Sequence, residues 1–138
     1  MRNIFSRLQF IFFILLATIL TASCTESFED RCRREAEEYS KRECPRMVDT
    51  FIRMDSTTYV SEPAGFTYHY TVLGELDDEE LLTEEAIEKF HAQLLESVRN
   101  DLHLKRYKDK DFVFTYRYNS QSTGKLFIEA TFGPEDYK

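Results

Sequence analysis

Two stretches decide the fold: FTYHYTVL at residues 66–73 and FVFTYRYN at residues 112–119. In each, aromatic residues alternate with polar ones, which is the period-two pattern of a strand with one buried face. The turn-like segment SEPAG at residues 61–65 joins the first stretch to the β-branched and aromatic residues 57–60. A second turn-like segment, NSQSTG at residues 119–124, joins the second stretch to residues 126–132. The sequence therefore predicts two β-hairpins.

Each hairpin follows a segment with helical periodicity. Ser27 and Thr83 are suitable N-cap residues, and Pro45 disfavours continuation of the first helix. Apolar residues recur three or four positions apart in both segments, namely Phe28, Cys32, Ala36 and Tyr39, and Ile87, Phe90, Leu94, Val98 and Leu102. The expected fold is α+β in the order αββαββ, with a four-stranded antiparallel sheet and both helices packed on one face. Residues 28–138 would form this single domain.

The first 23 residues have the composition of a targeting signal. Arg2 and Arg7 precede an apolar run over residues 10–20, and the small residues 21–23 follow it. A positive start, an apolar run of about 7–15 residues and a small-residue exit are typical of a secretory signal peptide. The run is shorter than the roughly 20 residues of a transmembrane helix, although a retained anchor helix stays an alternative.

The junction Thr21-Ala22-Ser23-Cys24 resembles the lipobox of bacterial lipoproteins, with Thr21 at a position that is usually leucine. The resemblance implies that residues 1–23 are removed, that Cys24 is lipidated and that residues 24–27 form a short tether to the membrane. Location in the cell envelope follows, with the outer membrane favoured over the inner because Thr25, rather than Asp, follows the cysteine. The alternative is an ordinary signal peptide and a soluble product.

A second resemblance covers most of the remaining chain. This part of the chain is similar to small uncharacterised exported lipoproteins of Bacteroides-type bacteria. The similarity lies in the motifs Cys44-Pro45, Val48-Asp49, Asp55-Ser56 and the alternating Phe66-x-Tyr68-x-Tyr70. This resemblance implies one envelope domain and supplies no activity, cofactor or catalytic residue.

The charge of the chain limits its partners. Loss of two arginines with residues 1–23 changes the formal net charge from −7 to −9. This disfavours nucleic acids, whose recognition requires clustered Lys and Arg. A cationic protein partner suits the chain better, and we expect a non-enzymatic interaction domain, such as an inhibitor or immunity-type protein.

The cysteines and histidines offer one enzymatic alternative. Cys32 and Cys44 would form a disulfide only if the first helix ended early, because twelve residues of helix separate them by about 18 Å and a disulfide allows less than about 7 Å. A thiol-dependent enzyme would pair Cys44 with His69 as its base. His69, His91 and His103 lack metal-ligand spacing, so we expect no metal and no cofactor.

Two surfaces remain as interaction sites. If the aromatic residues of residues 66–73 and 112–119 face the helices, the opposite sheet face presents His69, Arg117, Phe127 and Glu129 to a protein partner. If some tyrosines face outward instead, they form an aromatic surface of the kind that is enriched at protein interfaces. The acidic run over residues 77–80 lacks the glycine turn of an EF-hand, and charge complementarity to the following helix explains it better than calcium.

Overall fold

A computed structural model describes residues 25–138, and the predicted signal peptide and Cys24 lie outside these residues. Helix α1 spans Phe28–Glu43. The Ser27 hydroxyl accepts a hydrogen bond from the Asp30 backbone N–H at 3.0 Å and caps the helix, which ends before Pro45. Its buried residues are Cys32 and Ala36. No helix within residues 25–138 is long and apolar enough to span a bilayer.

Five strands form one sheet in the order β1-β2-β3-β4-β5. They are β1 Arg46–Asp49, β2 Ile52–Ser61, β3 Ala64–Val72, β4 Val113–Ser120 and β5 Leu126–Phe132. Strands β3 and β4 pair in parallel, and the other three pairs are antiparallel.

The connection from β3 to β4 contains the second long helix. Two short 3₁₀ turns, Gly74–Leu76 and Glu79–Leu81, precede helix α2, which spans Glu84–Asn100. The predicted cap is confirmed, because the Thr83 hydroxyl accepts from the Ala86 backbone N–H at 3.2 Å. Two four-residue helices complete the described chain, α3 at Lys105–Lys108 and α4 at Pro134–Tyr137.

The α+β class is confirmed, and the detailed arrangement is corrected. Within residues 25–138 the sheet has five strands instead of four, its β3–β4 pair is parallel, and four helices are present where two were expected. All four residues of β1 are exposed, so this strand has no alternation for a sequence pattern to reveal. A parallel pair requires a crossover of a dozen or more residues, and the segment containing α2 supplies it.

The aromatic alternation predicts the core face correctly. Phe66, Phe114, Tyr116 and Tyr118 are buried, and they share one core cluster with Cys32 and Ala36 of α1 and Val98 of α2. Phe114 and Phe132 are fully buried.

The parallel pair depends on a close backbone approach. Gly65 of β3 is paired with Val113 of β4, and a Cβ atom at Gly65 would lie only 2.0 Å from the Val113 carbonyl oxygen. Only glycine permits this separation.

Candidate ligand-binding cleft

An open cleft of about 710 Å³ lies above β3, between α1 and α2. Ala36 and Tyr39 of α1 line one wall, and Leu94 and Ser97 of α2 line the other. This volume is within the range of small-molecule sites in proteins, about 300–1,000 Å³. The cleft exists because α1 lies over β2 while α2 approaches β5, which leaves the middle of the sheet uncovered.

The floor of the cleft consists of tyrosine rings from the two parallel strands. Tyr68 stacks on Tyr116 with ring centroids 4.9 Å apart, and Tyr70 stacks on Tyr118 at 4.7 Å. Parallel pairing places these residues opposite one another in register. The floor is therefore a row of stacked aromatic rings, of which Tyr68 and Tyr70 are only half-buried.

Burial dominates the electrostatics of this floor. It raises the pKa of Tyr70 to about 12, and it raises the pKa values of Tyr68, Tyr116 and Tyr118 still further. The floor consequently stays neutral at physiological pH.

A hydrogen-bonded clip fixes the α1 wall. The Ser40 hydroxyl donates to the Thr57 carbonyl oxygen at 2.9 Å and accepts from the Thr57 N–H at 2.8 Å. At the preceding residue, the Tyr39 hydroxyl contacts the Met54 sulfur at 3.8 Å. These contacts hold the end of α1 against β2.

One buried polar atom in the cleft lining lacks a partner. Thr57 is only 8% exposed, and its side-chain oxygen Oγ1 forms no hydrogen bond within the described chain. Buried polar groups in native proteins are nearly always paired, with protein groups or with ordered water, so Thr57 Oγ1 is an exception within the described chain.

The rim of the cleft carries paired and unpaired charges. Arg106 forms an ion pair with Glu35 at 2.6 Å, and Glu35 also accepts from the Tyr107 hydroxyl at 2.9 Å. Asp101 accepts from the His103 backbone N–H at 2.7 Å. Arg46, at the opposite rim, has its guanidinium 5.9 Å from the centre of the Tyr39 ring and forms no ion pair among residues 25–138.

The structure does not bring Cys44 and His69 together. His69 lies on the outer sheet face, where its Nε2 is 3.1 Å from the Thr58 hydroxyl. Burial, and then the charge of Arg117, lowers the pKa of His69. Burial also raises the pKa of the Cys44 thiol, which opposes formation of the nucleophilic thiolate.

The two described cysteines are free thiols. Helix α1 is continuous from Phe28 to Glu43, with Cys32 buried within it and Cys44 directly after its end. The disulfide alternative required an early break in this helix, which does not occur. No group of three potential ligands that could hold a metal ion occurs within residues 25–138.

The outer face contains the other predicted interaction residues. Arg117 pairs with Glu129 at 3.1 Å across β4 and β5, and His69 is the register neighbour of Arg117 on β3. Phe127 is half-buried and packs against the edge of the core cluster. This face therefore joins His69, Arg117 and Glu129 in one polar row, while Phe127 lies beside it.

The sequence matches a family model over residues 27–128, described as a domain of unknown function (DUF8479). The chain belongs to this family. No curated protein matches it. The crystal structure of a putative secreted protein from Pseudomonas aeruginosa has a similar fold, with a TM-score of 0.66 and 16% sequence identity over 80% of this chain and 92% of that one.

Sequence patterns miss this cleft of the DUF8479 domain. Tyr68, Tyr70 and Tyr116 are identified as core residues, but the gap between the helices above them has no sequence signal. Arg46 follows a proline in a short exposed segment and has no pattern that distinguishes it from other surface arginines.

Proposed function

We propose that this protein is an exported, lipid-anchored and non-enzymatic binding protein that holds a small apolar ligand in the cleft above β3. The cleft itself carries the proposal: about 710 Å³ of open space over a tyrosine floor. A concave site with an aromatic lining and a few convergent polar groups is the usual form of a ligand site.

Export and anchoring are supported by the sequence before Phe28. The signal-like residues 1–23 and the lipobox-like junction at Cys24 favour a lipoprotein. Residues 25–27 alone separate that cysteine from α1, so the cleft would lie near the membrane surface. The name of the Pseudomonas relative, a putative secreted protein, agrees with export.

Binding is tested with residues 25–138 and the fluorescent apolar probe N-phenyl-1-naphthylamine. We expect saturable binding with one site per chain. Ser97→Phe places a large ring in the cleft from an exposed position on α2 and should weaken binding about tenfold or more. Ala92→Phe adds the same ring to an exposed position of α2 that does not line the cleft, and it should leave binding unchanged.

The two variants separate the cleft from a general surface effect. If Ser97→Phe melts like the wild type and binds the probe equally well, the cleft is not the site. Absence of saturable binding by the wild type would reject the function as a whole.

Anchoring is tested by the intact mass of the full-length chain expressed in a lipoprotein-processing bacterium. A membrane-bound product that begins at Cys24 with added acyl mass, and that is lost in Cys24→Ser, is expected. A soluble product without acyl mass would leave the binding proposal intact and reject the anchor.

A cationic protein partner is a second candidate function. The segment from Glu75 to Glu88 carries seven exposed carboxylates, at residues 75, 78, 79, 80, 84, 85 and 88, and only Lys125 forms an ion pair with one of them within the described chain. Such a surface favours a basic partner. Capture of a basic protein should weaken steeply between low and physiological salt, and capture that is indifferent to salt would contradict this candidate.

A further inference from the structure

We propose that the ligand of the cleft is a single-headed amphipathic carboxylate, with its carboxylate at Arg46 and its aliphatic body on the tyrosine floor. This inference rests on the proposed binding function and names the class of ligand. It follows from the distribution of charge around the cleft.

Arg46 is the only cleft-lining cation of the described chain that is left without a carboxylate. In the antiparallel register, Arg46 of β1 is opposite Met54 of β2, and Met54 is opposite Tyr70 of β3. Arg46, Met54 and Tyr70 all line the cleft, so the guanidinium lies where the tyrosine floor ends at the sheet edge. Arg106, the other arginine of the rim, is already bound by Glu35.

A guanidinium is a suitable group for a carboxylate head. It is planar, always charged and able to form two parallel hydrogen bonds to the two carboxylate oxygens. The Tyr39 ring lies beneath the Arg46 guanidinium and positions it, but the ring does not accept hydrogen bonds from the guanidinium N–H groups.

The other end of the cleft rejects a second carboxylate. Asp101 lines the cleft there, and its charge contributes to the raised pKa values of both Tyr68 and Tyr116 after burial and the neighbouring tyrosines. No described cation forms an ion pair with Asp101. A ligand with an anion at both ends would meet repulsion, whereas a ligand with one anionic end would not.

The middle of the cleft suits an apolar body. Between Arg46 and Asp101 the lining includes Ala36, Leu94 and Met54 together with the tyrosine rings. Burial of each CH₂ group of an aliphatic chain against this lining favours binding. The body therefore supplies affinity, and the charged end supplies orientation.

The test uses residues 25–138 and displacement of N-phenyl-1-naphthylamine by dodecanoate, dodecanol and dodecylammonium below their micellar concentrations. Dodecanoate should displace the probe severalfold more effectively than dodecanol, because its carboxylate can form an ion pair with the exposed Arg46 guanidinium. Dodecylammonium, whose head could meet only Asp101, should displace the probe less effectively than dodecanoate, and displacement as strong as that by dodecanoate would overturn the inference. Equal displacement by dodecanoate and dodecanol would overturn the inference.

Arg46→Met should remove the preference for dodecanoate over dodecanol, measured as the ratio of the two displacement constants within that variant and so independent of any change in its affinity for the probe. The matched control is Arg42→Met, because Arg42 is an exposed arginine near the end of α1 that does not line the cleft. Loss of the preference in both variants, or in neither, would show that Arg46 does not hold the carboxylate.

The dicarboxylate dodecanedioate tests the opposite end. Wild-type protein should bind it more weakly than dodecanoate, and Asp101→Asn, which keeps an acceptor for the His103 N–H, should reduce this difference. The two proposals fail separately: if the probe binds in the cleft but no ligand charge matters, only the carboxylate inference is wrong. If the probe does not bind, the binding function fails with it.

Discussion

Ser40→Ala is the sharpest test of how the cleft wall is held. The Ser40 hydroxyl is the partner of both the N–H and the carbonyl oxygen of Thr57, at 2.8 and 2.9 Å. Strand β1 pairs with β2 only as far as Arg46 opposite Met54, so these Thr57 groups lie at a sheet edge with no strand beside it. Helix α1 supplies the missing hydrogen-bond partner.

The expected cost follows from these two hydrogen bonds. Each Thr57 backbone group loses its partner, which costs about 1–2 kcal/mol where water reaches the site incompletely. Alanine has a higher helix propensity than serine, so the substitution also stabilises α1 by about 0.5 kcal/mol. The net loss of unfolding free energy should be about 2–3 kcal/mol, or roughly 8–12 °C in Tm for a domain of this size.

Urea and thermal unfolding of residues 25–138 measure this loss. Ser97→Ala is the matched control, because the Ser97 hydroxyl bonds only to the Gln93 carbonyl of its own helix at 3.0 Å. Its change should stay within about 0.5 kcal/mol. Ser40→Thr keeps the hydroxyl and should cost less than about 1 kcal/mol. A Ser40→Ala variant as stable as Ser97→Ala would refute the reasoning.

Three further predictions concern the sheet, the tyrosines and the cysteines. Gly65→Ala should destabilise the domain by about 3 kcal/mol or more in urea unfolding, because its Cβ would lie 2.0 Å from the Val113 carbonyl oxygen; a change below about 1 kcal/mol would contradict the close β3–β4 approach. Stability should fall as the pH rises above about 10, because tyrosines of the unfolded chain then lose protons while burial keeps the pKa of Tyr70 at about 12. The 295 nm phenolate absorbance should rise together with loss of secondary structure. Full ionisation of the tyrosines without unfolding would be inconsistent with a buried floor. Alkylation of the native protein should leave Cys32 unmodified, since it is only 1% exposed. It should modify Cys44 slowly, because burial raises the pKa of the Cys44 thiol. Rapid modification of Cys44 would support the thiol-enzyme alternative.

The predictable part of the fold is the part with a repeating physical pattern. The alternation of Phe66, Tyr68 and Tyr70 identified both the strand and its buried face, and the capped apolar stripe after Thr83 identified α2. The prediction of an entirely antiparallel sheet is wrong for the β3–β4 pair, because side chains alternate in the same way in parallel and antiparallel strands. Strand β1 was missed because its four exposed residues form an edge without a core face.

The site was less predictable than the fold for a related reason. A sequence pattern shows which side chains avoid water, but it does not show how far apart two helices stand above them. Tyr68 and Tyr70 fit the core pattern fully, yet they are only half-buried because neither long helix covers β3. The importance of Arg46 depends on its lack of an ion pair within residues 25–138, which local sequence does not encode.

The topology explains why the uncovered space lies above β3. The crossover from β3 to β4 sends the chain through α2, which contacts β5 and places the Phe90 ring against Tyr118 at 5.1 Å. Helix α1, which enters from the opposite side, is held against β2 by the Ser40 clip. Each helix is thus fixed to the strands on its own side, and Lys108 further secures α2 by donating to the carbonyl oxygens of Val98 and Arg99, both at 2.8 Å. The short helix α3 also joins the two walls, because Arg106 and Tyr107 bind Glu35 of α1 while Lys108 binds α2. The gap between the walls is therefore a property of the fold, and a ligand would find it already formed.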